Sequence, residues 1–412
     1  MKKGIHFILI LFTQICISQT WTTVAPIPEA IRAGNTASYK SNEDGFLFVV
    51  SGRNQDGIIT TSNQKYQLST NTWATLAPHP TGVIGASTAI LGDTLYTIGG
   101  LVTTPGSATR KVHKYSINQN TWSLASNFPV NIVDTDAVAY QDSLIYVVAG
   151  YSNKVRVYNS YTNTWRNATS MTPTTQSISW GALTVKNDTL VYMCGADNFL
   201  STNYFNTVRI GVIDQANRAN IIWSEATPFP GQTRTFFDAH PWENGIIMTG
   251  GSTDNTFGTF SNECYHYNVG TDTWTVLPSK PTAWLTGNSG SLLIDNQWKL
   301  ICAGGYNTEY LYNTEIFSSP SLSDTNFNYQ NCDWKNFNFK QNEIKFCTEN
   351  NVELEIVLYN LQGSIIKSIP IKKYFKGENS IVNNESIFPN GVYLCKISNG
   401  FESQTRKIII TN

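Results

Sequence analysis

The stretch Asp93-Thr94-Leu95-Tyr96-Thr97-Ile98-Gly99-Gly100, followed by Tyr115 and then by Asn120-Thr121-Trp122, is one copy of a phrase that returns along the chain. The phrase is two apolar strands, a glycine doublet, a Tyr, and a Trp seven residues after that Tyr. It recurs as Ser51-Gly52 with Tyr66 and Trp73, as Ala149-Gly150 with Tyr158 and Trp165, and as Gly250-Gly251 with Tyr267 and Trp274. Weaker copies carry Cys194-Gly195 with Trp223 and Gly304-Gly305 with Phe317, which makes six glycine signatures. A period of about 45 to 50 residues built from short strands predicts supersecondary units that cannot bury their faces singly and must stack or close on one another.

In spacing and residue types this phrase resembles the kelch repeat, and the resemblance covers residues 20–318. It implies one four-stranded blade per copy, with the glycines ending the second strand and the Tyr and Trp on the third and fourth. Counting strands then predicts a closed, six-bladed propeller. Five Trp follow glycine signatures, but after Gly304-Gly305 the chain reads Glu315-Ile316-Phe317 and Ser318-Ser319-Pro320, with no Trp. Trp21, in Gln19-Thr20-Trp21-Thr22-Thr23-Val24-Ala25-Pro26, precedes the first signature and reads like the other Trp strands. The sixth blade is therefore predicted to take its outer strand from the N-terminus, which leaves no unpaired terminal blade. The Tyr and Trp fall on neighbouring strands, so their rings are predicted to pack between blades rather than to form a ligand platform.

The flanks carry separate signals. Met1-Lys2-Lys3, an apolar run from Ile5 to Ile17, and Ser18-Gln19 read as a secretory signal peptide over residues 1–18. The run of about 13 residues is shorter than the roughly 20 of a membrane-spanning helix, so no transmembrane segment is predicted once it is removed. Residues 319–330, which open Ser319-Pro320-Ser321-Leu322-Ser323, read as a linker. Residues 331–412 hold alternating strands without the glycine–Trp phrase and read as a small β-sandwich-like domain. Those strands resemble the C-terminal sorting domain of the Bacteroidetes type IX secretion system. The matching residues are Leu358-Tyr359-Asn360-Leu361-Gln362-Gly363, Pro389-Asn390-Gly391-Val392-Tyr393-Leu394, and the basic-then-apolar end Arg406-Lys407-Ile408-Ile409-Ile410. The Pro-Asn-Pro that often starts such domains is replaced by Asn331-Cys332-Asp333-Trp334. The resemblance implies delivery by that machinery to the cell surface or the medium; a generic carbohydrate-binding or immunoglobulin-like module is the alternative.

Composition narrows the function classes. A net charge of −1 and a charged fraction of 14% leave no basic stripe, which excludes the electrostatic footprint of nucleic-acid binding. Beyond residue 18 the His are His79, His113, His240 and His266. Copper radical oxidases, which share the kelch-like fold, need two His and two Tyr converging on the axis. Here His113 and His266 fall beside the third-strand Tyr of blades two and five, His79 in a loop, and His240 at the far end of an inner strand. They are predicted not to meet, and no metal or other cofactor is expected. No phosphate loop, nucleophile elbow or zinc helix motif occurs. Cys194, Cys264 and Cys302, on strands of different blades, read as buried thiols, and Cys332 with Cys347 is the nearest pair for a disulfide in an oxidising destination.

The candidate site follows from loop lengths. Turns such as Gly92-Asp93, Gln141-Asp142 and Asn118-Gln119-Asn120 are short and gather on one face, so the longer connections gather on the other, where specificity is expected. Segments leading into the inner strands supply Arg32, Asp134, Asp136, Trp180, Arg234, Asp238 and Trp284; segments after the glycines supply Arg53, Asn54, Asp56, Tyr151, Asp197, Asn198, Asp254 and Tyr306. Aromatic rings stack on sugars, and Arg or Asp fix orientation, so Arg32, Arg53, Asp134, Asp136, Trp180, Arg234, Asp238 and Trp284 are the candidate ligand-binding set. Arg32 and Arg234 also sit where kelch blades often carry a structural Arg. The chain thus reads as an exported binding or scaffolding module for a glycan or protein. The alternative is a metal-independent sugar-modifying enzyme resembling the sialic-acid mutarotases, for which no catalytic residue can be assigned.

Overall fold

The computed structural model describes residues 19–319, apart from 42–43, 103–105, 173–176, 199 and 201, and residues 333–410, apart from 336, 341–342 and 383–390. The segment expected to be a signal peptide, nearly all of the expected linker and Cys332 lie outside the described residues. All regular structure described is β, and no helix is long and apolar enough to cross a membrane. Two compact units separate, residues 1–321 and 322–412.

The first unit contains six four-stranded antiparallel sheets, one per glycine signature. Blade 1, for example, is Asn35–Ser41, Asp44–Val50, Asn63–Gln67 and Thr72–Thr75. Innermost in the other blades are Ser87–Leu91, Thr135–Tyr140, Ala182–Lys186, Asp238–Trp242 and Asn288–Ile294. In blade 6 the fourth strand is Thr20–Val24, laid antiparallel on Thr314–Ser318 with Trp21 opposite Phe317. Second strands are the apolar ones: Leu95, Ile98, Leu190, Ile246 and Leu300 are all fully buried, because both faces of the strand lie against neighbouring blades. The core is accordingly a series of wedges. Leu183, Leu190 and Tyr192 of blade 4 pack with Tyr146 and Val157 of blade 3, and Leu292 and Ile301 of blade 6 pack with Leu47 and Val49 of blade 1.

The repeated Trp and Tyr explain how wedges lock. Each Trp indole N–H donates to a backbone carbonyl just beyond the outer strand of the preceding blade: Trp73 to Ala25 (3.0 Å), Trp122 to Ala77 (2.9 Å), Trp165 to Ser126 (3.0 Å), Trp223 to Thr169 (3.0 Å), Trp274 to Thr227 (3.1 Å) and Trp21 to Pro278 (2.9 Å). In four blades the turn before the Trp adds a second tie. Asn71, Asn120, Asn163 and Asp272 adopt φ of 52–53°, a left-handed conformation that Asn and Asp tolerate. Their side-chain oxygens accept from the Tyr hydroxyl of their own blade and from the N–H of Ala25, Ala77, Ser126 or Thr227 in the blade before. Blade 4 lacks the Tyr: Gly211 stands opposite Trp223, where a Cβ would come within 2.8 Å of the indole.

The second unit packs a three-stranded sheet (Asn338–Lys340, Glu343–Thr348, Gly377–Val382) and a four-stranded sheet (Ile365–Tyr374, Val352–Tyr359, Gly391–Ser398, Ser403–Ile410) around one core. Phe337, Phe346, Leu354, Ile356, Cys395 and Ile397 supply that core. In the motif Asn360-Leu361-Gln362-Gly363, the Asn360 side chain accepts from the N–H of Gln362 (3.1 Å) and Ser364 (2.8 Å), and Gly363 takes φ 82°. The motif is thus a turn whose Asn and Gly are there for geometry. Cys347 is disulfide-bonded, whereas Cys194, Cys264, Cys302 and Cys395 are buried free thiols.

Replacing Trp165 by Ala is expected to destabilise the propeller by about 3 to 5 kcal/mol. Trp165→Phe keeps a ring and loses only the N–H, so about 1 kcal/mol is expected. Urea unfolding followed by fluorescence measures both, and equal losses would contradict the latch.

Candidate functional site

At the long-loop end, a residue one or two before the start of each inner strand has the same unusual backbone. Ala33, Gly85, Asp134, Trp180, Phe236 and Thr286, one per blade, have φ of 48, 64, 54, 57, 58 and 45°. Five are not glycine, and such a conformation persists only where the surroundings over-determine it. Here backbone hydrogen bonds running from blade to blade do so: Ala33 N–H to Thr286 O (2.8 Å), Thr286 N–H to Phe236 O (2.9 Å), Phe236 N–H to Trp180 O (3.1 Å) and Asp134 N–H to Gly85 O (2.8 Å). The ring fixes which side chains stand around the mouth. Blades 3, 4 and 5 present Asp134, Trp180 and Phe236; blades 6, 1 and 2 present the smaller Thr286, Ala33 and Gly85.

From that half an arc of aromatic rings extends. Tyr151 meets Trp180 edge-on at 5.3 Å, Trp180 meets Phe236 at 5.4 Å, and Phe236 stacks on Phe257 at 5.3 Å. Phe257 meets Tyr306 at 6.5 Å, and Tyr306 meets Tyr310 at 5.6 Å. Arg32 closes the arc, with its guanidinium 4.7 Å from the Phe257 centroid and its Nε–H donating to the Tyr310 hydroxyl (3.1 Å). All of these rings keep part of their surface exposed. Tyr151 donates to Asp134 Oδ2 (3.0 Å) and Trp180 also bonds that carboxylate; burial raises the Asp134 pKa and these bonds oppose the rise.

Below the mouth the inner strands enclose a channel cavity of ≈ 530 Å³. Two residues beyond the rim stand Asn35, Ser87, Asp136, Ala182 and Asp238, all lining it. The carboxyls again belong to blades 3 and 5. Asp136 is held well above the usual carboxylate range, chiefly by burial and then by the Asp238 and Asp134 carboxylates. Burial pushes Asp238 up to about 7, against a hydrogen bond from Ser289 Oγ (2.7 Å) and the charge of Lys280. Ser289 Oγ lies 2.7 Å from His240 Nε2, and burial holds His240 down at about 4, so the imidazole is neutral at neutral pH. His240 is therefore a channel residue in mid-strand, not one placed at the far end.

The structure separates the eight sequence-derived candidates. Asp134 and Trp180 meet at the mouth, Arg32 stands at the other end of the aromatic arc, and Asp136 and Asp238 line the channel beneath. Arg53 donates to Gly57 O (2.8 Å) and closes its own loop. Arg234 and Trp284 are each 1% exposed and have no face to offer a ligand. Arg234 is a staple inside blade 5, bonded to Gly250 O, Ser261 Oγ and Glu263 Oε2 (2.6 Å). Trp284 fills the space left by Gly250 and Gly287, where a Cβ would come within 2.1 and 1.8 Å of the indole, and takes the Lys280 ammonium on its face at 4.5 Å. Another expectation also fails: His79 and His113 do meet, with ring centroids 4.6 Å apart beside Trp122, because adjacent blades share that wedge. His79 is tied to Thr97 Oγ1 (2.8 Å), and among the described residues no group of three or more His, Cys, Asp or Glu is placed to hold a metal.

Comparison with known proteins agrees with this architecture. Residues 84–129, essentially blade 2, match the family described as Kelch motif, and residues 336–411 match the Secretion system C-terminal sorting domain. The chain is a kelch propeller followed by a secretion sorting domain. Such a tail directs export by the type IX secretion system, so the kelch propeller is delivered to the cell surface or released. Kelch-like protein 35 of Mus musculus is 35% identical over 86 residues, which is 21% of this chain and only 14% of that relative's length. The solved structure of YjhT superposes with a TM-score of 0.55 over 70% of this chain and 95% of its own, at 16% identity, a likeness of fold alone.

The raised Asp238 carries a consequence for stability. Its carboxyl keeps its proton in the folded state to about pH 7, while in the unfolded chain it releases it near the ordinary value of 3.8. The folded state therefore binds more protons between those values, and stability falls as pH rises through the window. Each pH unit of separation corresponds to about 1.4 kcal/mol. Asp238→Asn is expected to be more stable than the parent at pH 8, with the gain shrinking toward pH 4; thermal melts across that range check it, and a pH-independent difference would contradict it.

Proposed function

We propose that the exported kelch propeller is a binding module that takes a glycan at its long-loop face. The observation that carries this reading is the arc of partly exposed rings from Tyr151 through Trp180, Phe236 and Phe257 to Tyr306, flanked by Asp134 on one side and Arg32 on the other. Flat rings at spacings of 5.3 to 6.5 Å suit the apolar faces of successive sugars, and the carboxylate, guanidinium and Tyr hydroxyls supply directional partners for hydroxyls. The arc stays partly open to solvent. Delivery to the cell surface or beyond places such a face where extracellular glycans occur.

A glycan array and a peptide array probed with the full-length secreted protein test the reading. Hits among glycans that fall at least about tenfold, or 1.4 kcal/mol, in Trp180→Ala and also in Arg32→Ala are expected. Hits confined to peptides, or glycan binding unchanged in both variants, would overturn it. Turnover of a bound glycan in the same assay would move the reading from binding module to sugar-modifying enzyme.

A further inference from the structure

The mouth and the channel beneath it are lopsided in the same direction. Blades 3 and 5 contribute Asp134, Asp136 and Asp238, and blades 4 and 5 contribute the rings of Trp180 and Phe236 between them; the rim positions of the facing half are the smaller, uncharged Thr286, Ala33 and Gly85. The charges acting on Asp136 are both carboxylates, Asp238 and Asp134. Asp136 lines the channel and no described side chain donates to it, whereas the carboxylates of Asp134 and Asp238 each accept a hydrogen bond. Among the described residues the base acting on Asp238 is Lys280, whose own ammonium is paired with Glu315 and capped by Trp284. Tyr192, which feels the Asp136 charge, receives the Gly181 N–H (3.2 Å), and the charge of Arg209 acts on Tyr192. His240 is neutral. The nearby positive charges are thus already engaged, Lys280 by Glu315 and Trp284, and Arg32 by the Phe257 ring, while Asp136 has only carboxylates acting on it, and the rings at the mouth present π faces that attract cations.

Resting on the glycan reading of the mouth, we infer that the channel entrance at blades 3 to 5 binds the ammonium group of an amino sugar, with Asp136 and Asp238 as its carboxylate partners and Trp180 against the sugar ring. Burying two like-charged carboxyls is unfavourable until a cation joins them, so a cationic ligand recovers what the empty channel forgoes. A neutral or N-acetylated sugar recovers nothing of that kind. Binding of the ammonium ionises a carboxyl that is still protonated in the free protein, and a proton leaves to solvent. A channel cavity of ≈ 530 Å³ is of ordinary size for a small-ligand pocket.

Calorimetric titration of the full-length protein with a glucosamine tetramer and with an N-acetylglucosamine tetramer, at pH 6 to 7, tests this. The glucosamine tetramer is expected to bind at least tenfold tighter, with an enthalpy that depends on the ionisation enthalpy of the buffer because a proton is released. Asp136→Asn and Asp238→Asn are each expected to remove that tenfold preference by weakening the glucosamine tetramer more than the N-acetylated one; melting curves confirm that both variants fold. Equal affinity for the two tetramers, with both still weakened by Trp180→Ala, would overturn the ammonium site and leave the glycan face standing. Binding of neither tetramer, or of a lysine-rich peptide in their place, would overturn both.

Discussion

The indole N–H of a single Trp per blade, reaching a backbone carbonyl of the blade before, is the contact on which the rest of this structure depends. A propeller blade is a four-stranded sheet with two apolar faces and no independent means of burying either. It acquires both from its neighbours, and the latch sets how far each neighbour is rotated. Because Trp21 stands on the N-terminal strand and reaches back to Pro278, while Trp73 reaches forward to Ala25 at the end of that same strand, the ring closes through one five-residue segment, Thr20–Val24. Closure then holds six inner strands parallel to one axis, and the hydrogen-bonded ring of left-handed residues at their head follows from that spacing.

Most of this was legible from residue type and period. The Tyr–Trp spacing reports a tight turn between two paired strands, and the register places Tyr66 opposite Trp73, Tyr115 opposite Trp122 and Tyr267 opposite Trp274. The imperfect copies also have a physical account: Gly211 makes room for Trp223 where a Tyr would stand, and Phe317 accepts Trp21 from the far end of the chain. The role of the Asn in Asn120-Thr121-Trp122 was not legible as more than a turn residue, because its tie to Ala77 joins positions 43 residues apart.

The site was legible only in part. Asp136 and Asp238 read as belonging to the segments that lead into the inner strands, as Trp180 does, and the structure carries the two carboxyls onto the strands themselves, where they line the channel. Phe236 was within reach, since it stands two residues before its inner strand just as Trp180 does, yet an apolar residue there reads as core. Phe257 and Tyr310 lie in loops of unequal length, and no repeat register could bring them together. Arg234 and Trp284 mislead for the opposite reason: on sequence they share the position of exposed loop residues, but Glu263 and the glycines Gly250 and Gly287 draw them inside. Whether a loop side chain faces water or its own blade is decided by partners far along the chain.

What emerges is a ring whose framework is sixfold and whose chemistry is not. The latch repeats in every blade, while the carboxyls gather on blades 3 and 5 and the rings run from blade 3 to blade 6, and the raised Asp136 and Asp238 hold the channel in a state that a ligand would relieve. That asymmetry on a symmetric frame is the central claim. The most direct measurement is a crystal structure of the full-length protein soaked with a glucosamine oligomer. The account requires density against Trp180, with the amine turned toward Asp136 and Asp238; density that leaves Trp180 and both carboxyls untouched, or that lies on the short-turn face, would contradict it.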